Sequence, residues 1–254
     1  MAIDEEDRDT GLERMSLVEH LAELRRRIII CVIAVVCTGI FAFFLYNPVL
    51  HFLRQPYCEA IRSRGLRNSG VGCNLVITDP LEGFTTRLKV TGYLAVFFAS
   101  PVLLWQLWRF ITPGLHKREK RYAIPFIAAS VVLFALGAVV AILTFPKALD
   151  FLIGVSGKGV STFFSPGRYI GLYVLVIAAF GIAFEFPIVL VFLELAGVVP
   201  SKRLKQWRRP AIVVIFIVAA VITPSQDPYS LFAMAIPMCI FYELSILVGK
   251  ILKK

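Results

Sequence analysis

Charge is scarce in this sequence. Of its 254 residues only 17% are Asp, Glu, Lys or Arg, three are histidines, and 58% are hydrophobic. Together with a mean hydropathy of +0.77, this is more apolar than a soluble globular domain of the same length and points to a membrane protein. Too few histidines are present for a metal-spaced cluster, and no P-loop is found. No Ser/His or Cys/His arrangement occurs at membrane depth. An enzyme is therefore not expected, and neither a metal nor another cofactor is implied. A nucleic-acid role needs a solvated basic surface carrying base-stacking aromatics, and no soluble segment is long enough to build one. The net charge of +10 instead reads as a topology signal and an attraction to anionic headgroups.

Long uncharged runs are abundant. They lie at 28–46, 90–108, 122–146, 171–199, 211–222 and 229–248, the fourth interrupted by Glu185 and carrying Glu194 near its end, and the last containing Glu243 and a proline. Crossing about 30 Å of hydrocarbon takes roughly 20 helical residues. The run at 211–222 rises only about 18 Å at 1.5 Å per residue, so it spans a thinned bilayer or does not span. The expected fold is an all-α polytopic membrane protein with six transmembrane helices. Residues 1–15 form a disordered acidic tail, and 16–254 form a single six-span domain. The alternative, a re-entrant hairpin over 211–248, is disfavoured because basic residues flank it on both sides. In either case the turn at 223–227 must lie outside the lipid or be packed within protein.

With six spans, one side of the membrane holds 1–27, 109–121, 200–210 and 249–254, and these carry 18 of the 27 Lys and Arg residues. Both termini are therefore expected in the cytoplasm. Prolines 101, 125, 146, 187 and 237 fall within or at the ends of spans and favour kinked helices and a concave, cup-like body over a straight bundle. The first span follows a charged segment and precedes no small-residue cleavage site, so it reads as uncleaved. No inverted repeat of the transporter kind is apparent.

Cys31, Cys37 and Cys239 lie in apolar runs and read as packing residues. Cys58 and Cys73 share the first extracytoplasmic loop, on the oxidising side, where they either pair as a disulfide or remain two thiols. In the same loop, 78–89 is partly amphipathic and suggests a short helix leading into the second span. On the cytoplasmic side, Ser16-Leu-Val-Glu19 matches a capping box, so a helix should begin there, with Leu17, Leu21 and Leu24 on one stripe and Glu23 paired to Arg27. One reading is an interfacial helix whose arginines fix topology. The loop at 110–121 contains Glu119, the sole carboxylate between Glu82 and Asp150. It either relieves repulsion among the surrounding bases or binds a guanidinium, whose planar fork suits a carboxylate at the headgroup boundary.

Met15-Ser-Leu-Val-Glu-His-Leu-Ala-Glu-Leu-Arg-Arg-Arg27, the stretch 100–121 around Trp-Arg-Phe-Ile-Thr-Pro-Gly-Leu, Phe180-Gly-Ile-Ala-Phe-Glu-Phe-Pro187, and Ile222-Thr-Pro-Ser-Gln-Asp-Pro228 with Ala235-Ile-Pro237 are four blocks that together resemble the TatC family. The resemblance runs from Met15 to Val248. It implies a receptor for signal peptides bearing an arginine pair, in a translocase driven by the proton-motive force in the bacterial cytoplasmic membrane. Glu23 and Arg25 would serve in the N-terminal segment, with Phe110 and Glu119 in the first cytoplasmic loop. Arg25 has the wrong sign to bind arginines and would orient the carboxylates. The implied partners are single-span subunits of the TatA and TatB type, the signal peptides of folded cargo, the lipid bilayer and further copies of the chain.

Glu185, with Pro187 two residues on, is an intramembrane carboxylate and should face protein or a wet cavity. It is either a neutral group bonded to carbonyls freed near Pro187 or, as the resemblance implies, part of a concave groove within the membrane. Glu194, half a turn around on an unbroken helix, should snorkel to the interface. Glu243 should anchor the last span. The competing function is a proton-coupled small-solute transporter using Glu185, against which stands the lack of a second central ionisable group. A purely structural scaffold is a third option, indifferent to changes at Glu23 and Glu119.

Overall fold

The computed structural model describes residues 17–63, 75–77, 79–111, 123–155, 164–195 and 197–252. Ser16, Cys73, Thr78 and Glu119 lie outside them, as does the tail. Every element among the described residues is helical. α1 (Leu17–Phe44) merges the amphipathic cytoplasmic stretch with the first apolar run in one helix. The amphipathic stretch thus forms the opening turns of the helix that contains the first apolar run. Residues 17–38 contain neither glycine nor proline, so nothing local stops propagation.

α2 (Tyr46–Ser63) was not anticipated. Pro48 falls in its first turn, where a missing N–H costs nothing. Its apolar face, centred on the buried Leu53, Tyr57, Ala60 and Ile61, packs against the rest of the molecule. α3 (Glu82–Ile111) starts ahead of the second apolar run, so the amphipathic stretch leads into that span as its opening turns. Phe84 and Leu88 there are exposed. α4 (Ala123–Val155) continues past Pro146.

The fourth run is broken. α5 (Pro166–Ala183) and α6 (Phe186–Leu195) are separated at Phe184 and Glu185. Short α7 (Ser201–Gln206) leads into α8 (Arg208–Ile222), and α9 (Pro228–Leu252) closes the chain. Five segments are long and apolar enough to cross a membrane, α5 and α6 together forming one. α8 is the shorter sixth candidate, with 15 residues rising about 22 Å.

α1 packs mainly on α3, where Thr38 Oγ1 donates to the carbonyl of Ala95 at 2.8 Å. Its remaining apolar surface, from Ile28 through Phe44, is largely exposed, as a lipid-facing helix requires. The core runs through α2, α4, α5 and α9 and holds an aromatic cluster. In it Phe145 and Tyr173 stack with ring centroids 3.9 Å apart, and the Tyr169 hydroxyl donates to the Leu53 carbonyl at 2.8 Å. α4 and α5 meet closely because Gly137 faces the backbone of Phe180 and Gly181 faces the ring of Phe134.

The α8–α9 turn is packed within protein. Thr223, Ser225 and Asp227 are buried. Asp227 accepts from the backbone N–H of Ser230 at 2.8 Å and from the Ser225 hydroxyl at 2.5 Å. It thereby caps α9. Gln226 takes a left-handed conformation at φ 48° to complete the bend.

Candidate functional site

At the start of α1, Glu23 and Arg27 stand one helical turn apart and pair. Arg27 Nε donates to Glu23 Oε1 at 3.1 Å, and Nη2 contacts the same oxygen. The third guanidinium nitrogen, Nη1, donates to Oε1 of Gln106 on α3 at 3.2 Å. Arg27 thus joins the N-terminal segment to the end of α3. Glu23 Oε2 is shielded and makes no hydrogen bond among the described residues. Arg25 is exposed, and Phe110, half-buried, lies one turn beyond Gln106 on the same face. The structure thereby brings the Glu23 and Phe110 segments to one place. Glu119, expected to complete the set, falls outside the described residues. Sequence reasoning found the Glu23–Arg27 pair but missed Gln106. The available signal was an amide side chain near the end of an otherwise apolar run.

Deeper in the chain, Glu185 sits at the α5–α6 break. Pro187 has no N–H, so the carbonyl of Ala183 loses its usual donor. The chain tightens there, Glu185 N–H donating to the carbonyl of Ile182 at 3.1 Å. Pro187 itself falls in the first turn of α6, where its ring is tolerated. The carboxyl is not spent on freed carbonyls. Instead Glu185 Oε2 accepts from the hydroxyl of Ser130 on α4 at 2.5 Å, and Ser130 Oγ accepts from Trp108 Nε1 on α3 at 2.6 Å. The Trp108 ring is flanked by Phe126 and Phe192, at centroid separations of 5.9 and 5.5 Å. Beside it Pro187, Ile188, Phe126, Leu133, Phe241 and Leu244 line an apolar recess of about 370 Å³. Ser130 and Trp108 were not singled out from sequence. One hydroxyl in an apolar span carries no pattern until its partners are known.

Two further carboxylates settle differently from each other. Glu194 does not snorkel. It is fully buried against Gly249 of α9, because the break at Glu185 rotates α6 relative to an unbroken helix. Glu243 pairs with Arg208 Nη2 at 2.6 Å and ties α9 to the start of α8. Cys58 is half-buried on α2, while Cys73 lies outside the described residues. Among the described residues no group of three or more His, Cys, Asp or Glu is arranged to hold a metal.

The model of the family described as Sec-independent protein translocase protein (TatC) matches residues 19–237. The chain belongs to the TatC family. A Sec-independent protein translocase protein TatC from Frankia casuarinae is 41% identical over 239 residues, covering 93% of this chain and 66% of the relative. The chain thus spans about two thirds of that relative's length. The TatC of Aquifex aeolicus is 37% identical over 93% of this chain and 95% of its own length. A crystal structure described as the twin arginine translocase receptor TatC aligns with a TM-score of 0.71 and 37% identity over 93% of this chain and 100% of that one. The same receptor in DDM gives a TM-score of 0.72 at 38% identity. At this identity the likeness extends beyond fold. The TatC match takes in Glu23, Arg25, Phe110, Glu119, Glu185 and Pro187.

Proposed function

We propose that this chain is the core receptor subunit of a twin-arginine translocase, binding Arg-Arg signal peptides at its cytoplasmic face. It is a transport component and not an enzyme. Glu23 and Glu119 grip the two guanidinium groups, Phe110 packs beside them, and Arg25 orients the carboxylates from the adjoining face. Six crossings, with both termini in the cytoplasm, put these segments on one side of a bacterial cytoplasmic membrane. The hydrophobic part of the signal then enters a concave groove containing Glu185 and Pro187, to which TatA- and TatB-type single-span subunits are recruited so that folded cargo crosses at the expense of the proton-motive force.

Membership of the TatC family along most of the chain carries this reading. The geometry adds support, since Arg27 ties the segment bearing Glu23 to the helix bearing Phe110. Glu23 also keeps one oxygen without a hydrogen-bond partner among the described residues. A carboxylate discriminates arginine from lysine because only the planar guanidinium offers two parallel donors. The transporter alternative needs a second ionisable group facing Glu185, whereas the partner found there is a serine.

The test is binding of an Arg-Arg signal peptide and its Lys-Lys counterpart to the purified chain in nanodiscs, alongside Glu23→Ala and Glu119→Ala. Preference for Arg-Arg, with each substitution weakening it about tenfold, is expected from losing one charged hydrogen-bonded pair. Equal binding of both peptides would redirect attention to proton flux through Glu185.

A further inference from the structure

Indole can only donate a hydrogen bond, which fixes the direction of the bond from Trp108 to Ser130. Trp108 Nε1 donates to Ser130 Oγ, so the single hydroxyl proton of Ser130 is left to donate onward to Glu185 Oε2. With the carboxyl ionised, Oε2 is the acceptor of that bond. The second oxygen, Oε1, makes no hydrogen bond among the described residues although it is shielded. Trp108 and Ser130 are buried and come from different helices, so the two bonds fix the carboxyl relative to both α3 and α4. Phe126 and Phe192 clamp the indole and keep it from turning away. Trp108 also stands two residues before Phe110, in the last turns of α3.

We propose that Trp108 and Ser130 are positioning residues for Glu185, holding its carboxyl through Oε2 in one place and one orientation at the α5–α6 break. They also connect the α3 end beside Phe110 to that carboxyl. The proposal rests on the reading of Glu185 as a groove residue. Movement of α3 when a peptide engages Phe110 would pass to Glu185 through these two hydrogen bonds.

The test uses the full chain in nanodiscs with 15N-labelled indoles. Three tryptophans are present, so Trp108→Phe, which keeps an aromatic ring between Phe126 and Phe192 but has no donor, identifies the Trp108 resonance. Ser130→Ala and Glu185→Ala are each expected to shift that resonance more than those of Trp105 and Trp207. In vesicles carrying the chain with its single-span partners, Trp108→Phe and Ser130→Ala should each cut transport about tenfold, the factor set by one hydrogen bond of about 1.4 kcal/mol. Preference for the Arg-Arg over the Lys-Lys peptide should persist in both variants. In a Glu185→Ala background neither substitution should cost anything more. A Trp108 resonance indifferent to Glu185→Ala, or losses that add in that background, overturns the positioning role while leaving the receptor reading intact. Normal transport by Glu185→Ala with the resonance shift intact would instead sink the reading of Glu185, and this proposal with it.

Discussion

A methyl group on Gly249 would lie 1.4 Å from Glu194 Oε2, a distance no packing tolerates. Glycine at this position is what lets a fully buried carboxyl fit between α6 and α9. Gly92 on α3 is the counter-example, since a methyl there meets nothing within 4 Å. Gly249→Ala should therefore lower the unfolding free energy in micelles by about 1–3 kcal/mol through overpacking. Gly92→Ala should raise it by about 0.5–1 kcal/mol through helix propensity and lost unfolded-state entropy. Denaturant titration followed by circular dichroism reads both. No loss at Gly249 would mean that α6 and α9 do not meet as described, and a loss at Gly92 would mean that its surroundings on α3 are not open. Both residues look alike in the sequence, each a lone glycine in an apolar helix. Only the facing element separates them.

At the scale of elements, α4 and α5 cross backbone to backbone at Gly137. A Cβ on Gly137 would come within 2.6 Å of the backbone oxygen of Phe180, and backbone cannot yield as a side-chain tip can. In lipid, helices associate largely through such close packing, because the hydrophobic effect no longer separates helix from solvent. Gly137→Ala should push α5 away, lower stability by about 1–3 kcal/mol and, because α5 leads into Glu185, disturb the break. Differential protection of 175–190 in hydrogen exchange would report it, with no change expected for α1, which packs mainly on α3. Helix existence and type were legible at this scale because apolar runs near 20 residues have few alternatives. α2 escaped notice because its amphipathic face includes Pro56 and charged residues and never forms a long run. Glu194 was misplaced because a 3.6-residue period was carried through a break that Pro187 announces only indirectly.

For the whole molecule, the question left by composition is whether α8 crosses. Its 15 residues cover about 22 Å, short of the roughly 30 Å of hydrocarbon, and the turn that follows is buried in protein through Thr223, Ser225 and Asp227. A short span with a shielded turn needs less bilayer than a bare one, since the polar backbone of the turn meets protein partners and not lipid. Arg208, paired to Glu243, holds the other end of α8 against the last helix. That pairing places Arg208 level with a point near the end of α9, as expected of two antiparallel neighbours crossing together. Gln226, exposed at the tip of the turn, is the position that decides. In a chain with its five cysteines replaced by serine or alanine, Gln226→Cys should react with an impermeant maleimide added outside intact cells, and a cysteine placed at Lys205 should react only after permeabilisation. Tags at the two termini should both require permeabilisation. Labelling of both cysteines from one side would reduce the count to five crossings and put the termini on opposite faces, separating the C-terminal lysines from the segment that carries Glu23. The basic residues at 200–210 and 249–254 weigh against that outcome, because each lies on the side that short, positively charged loops normally occupy.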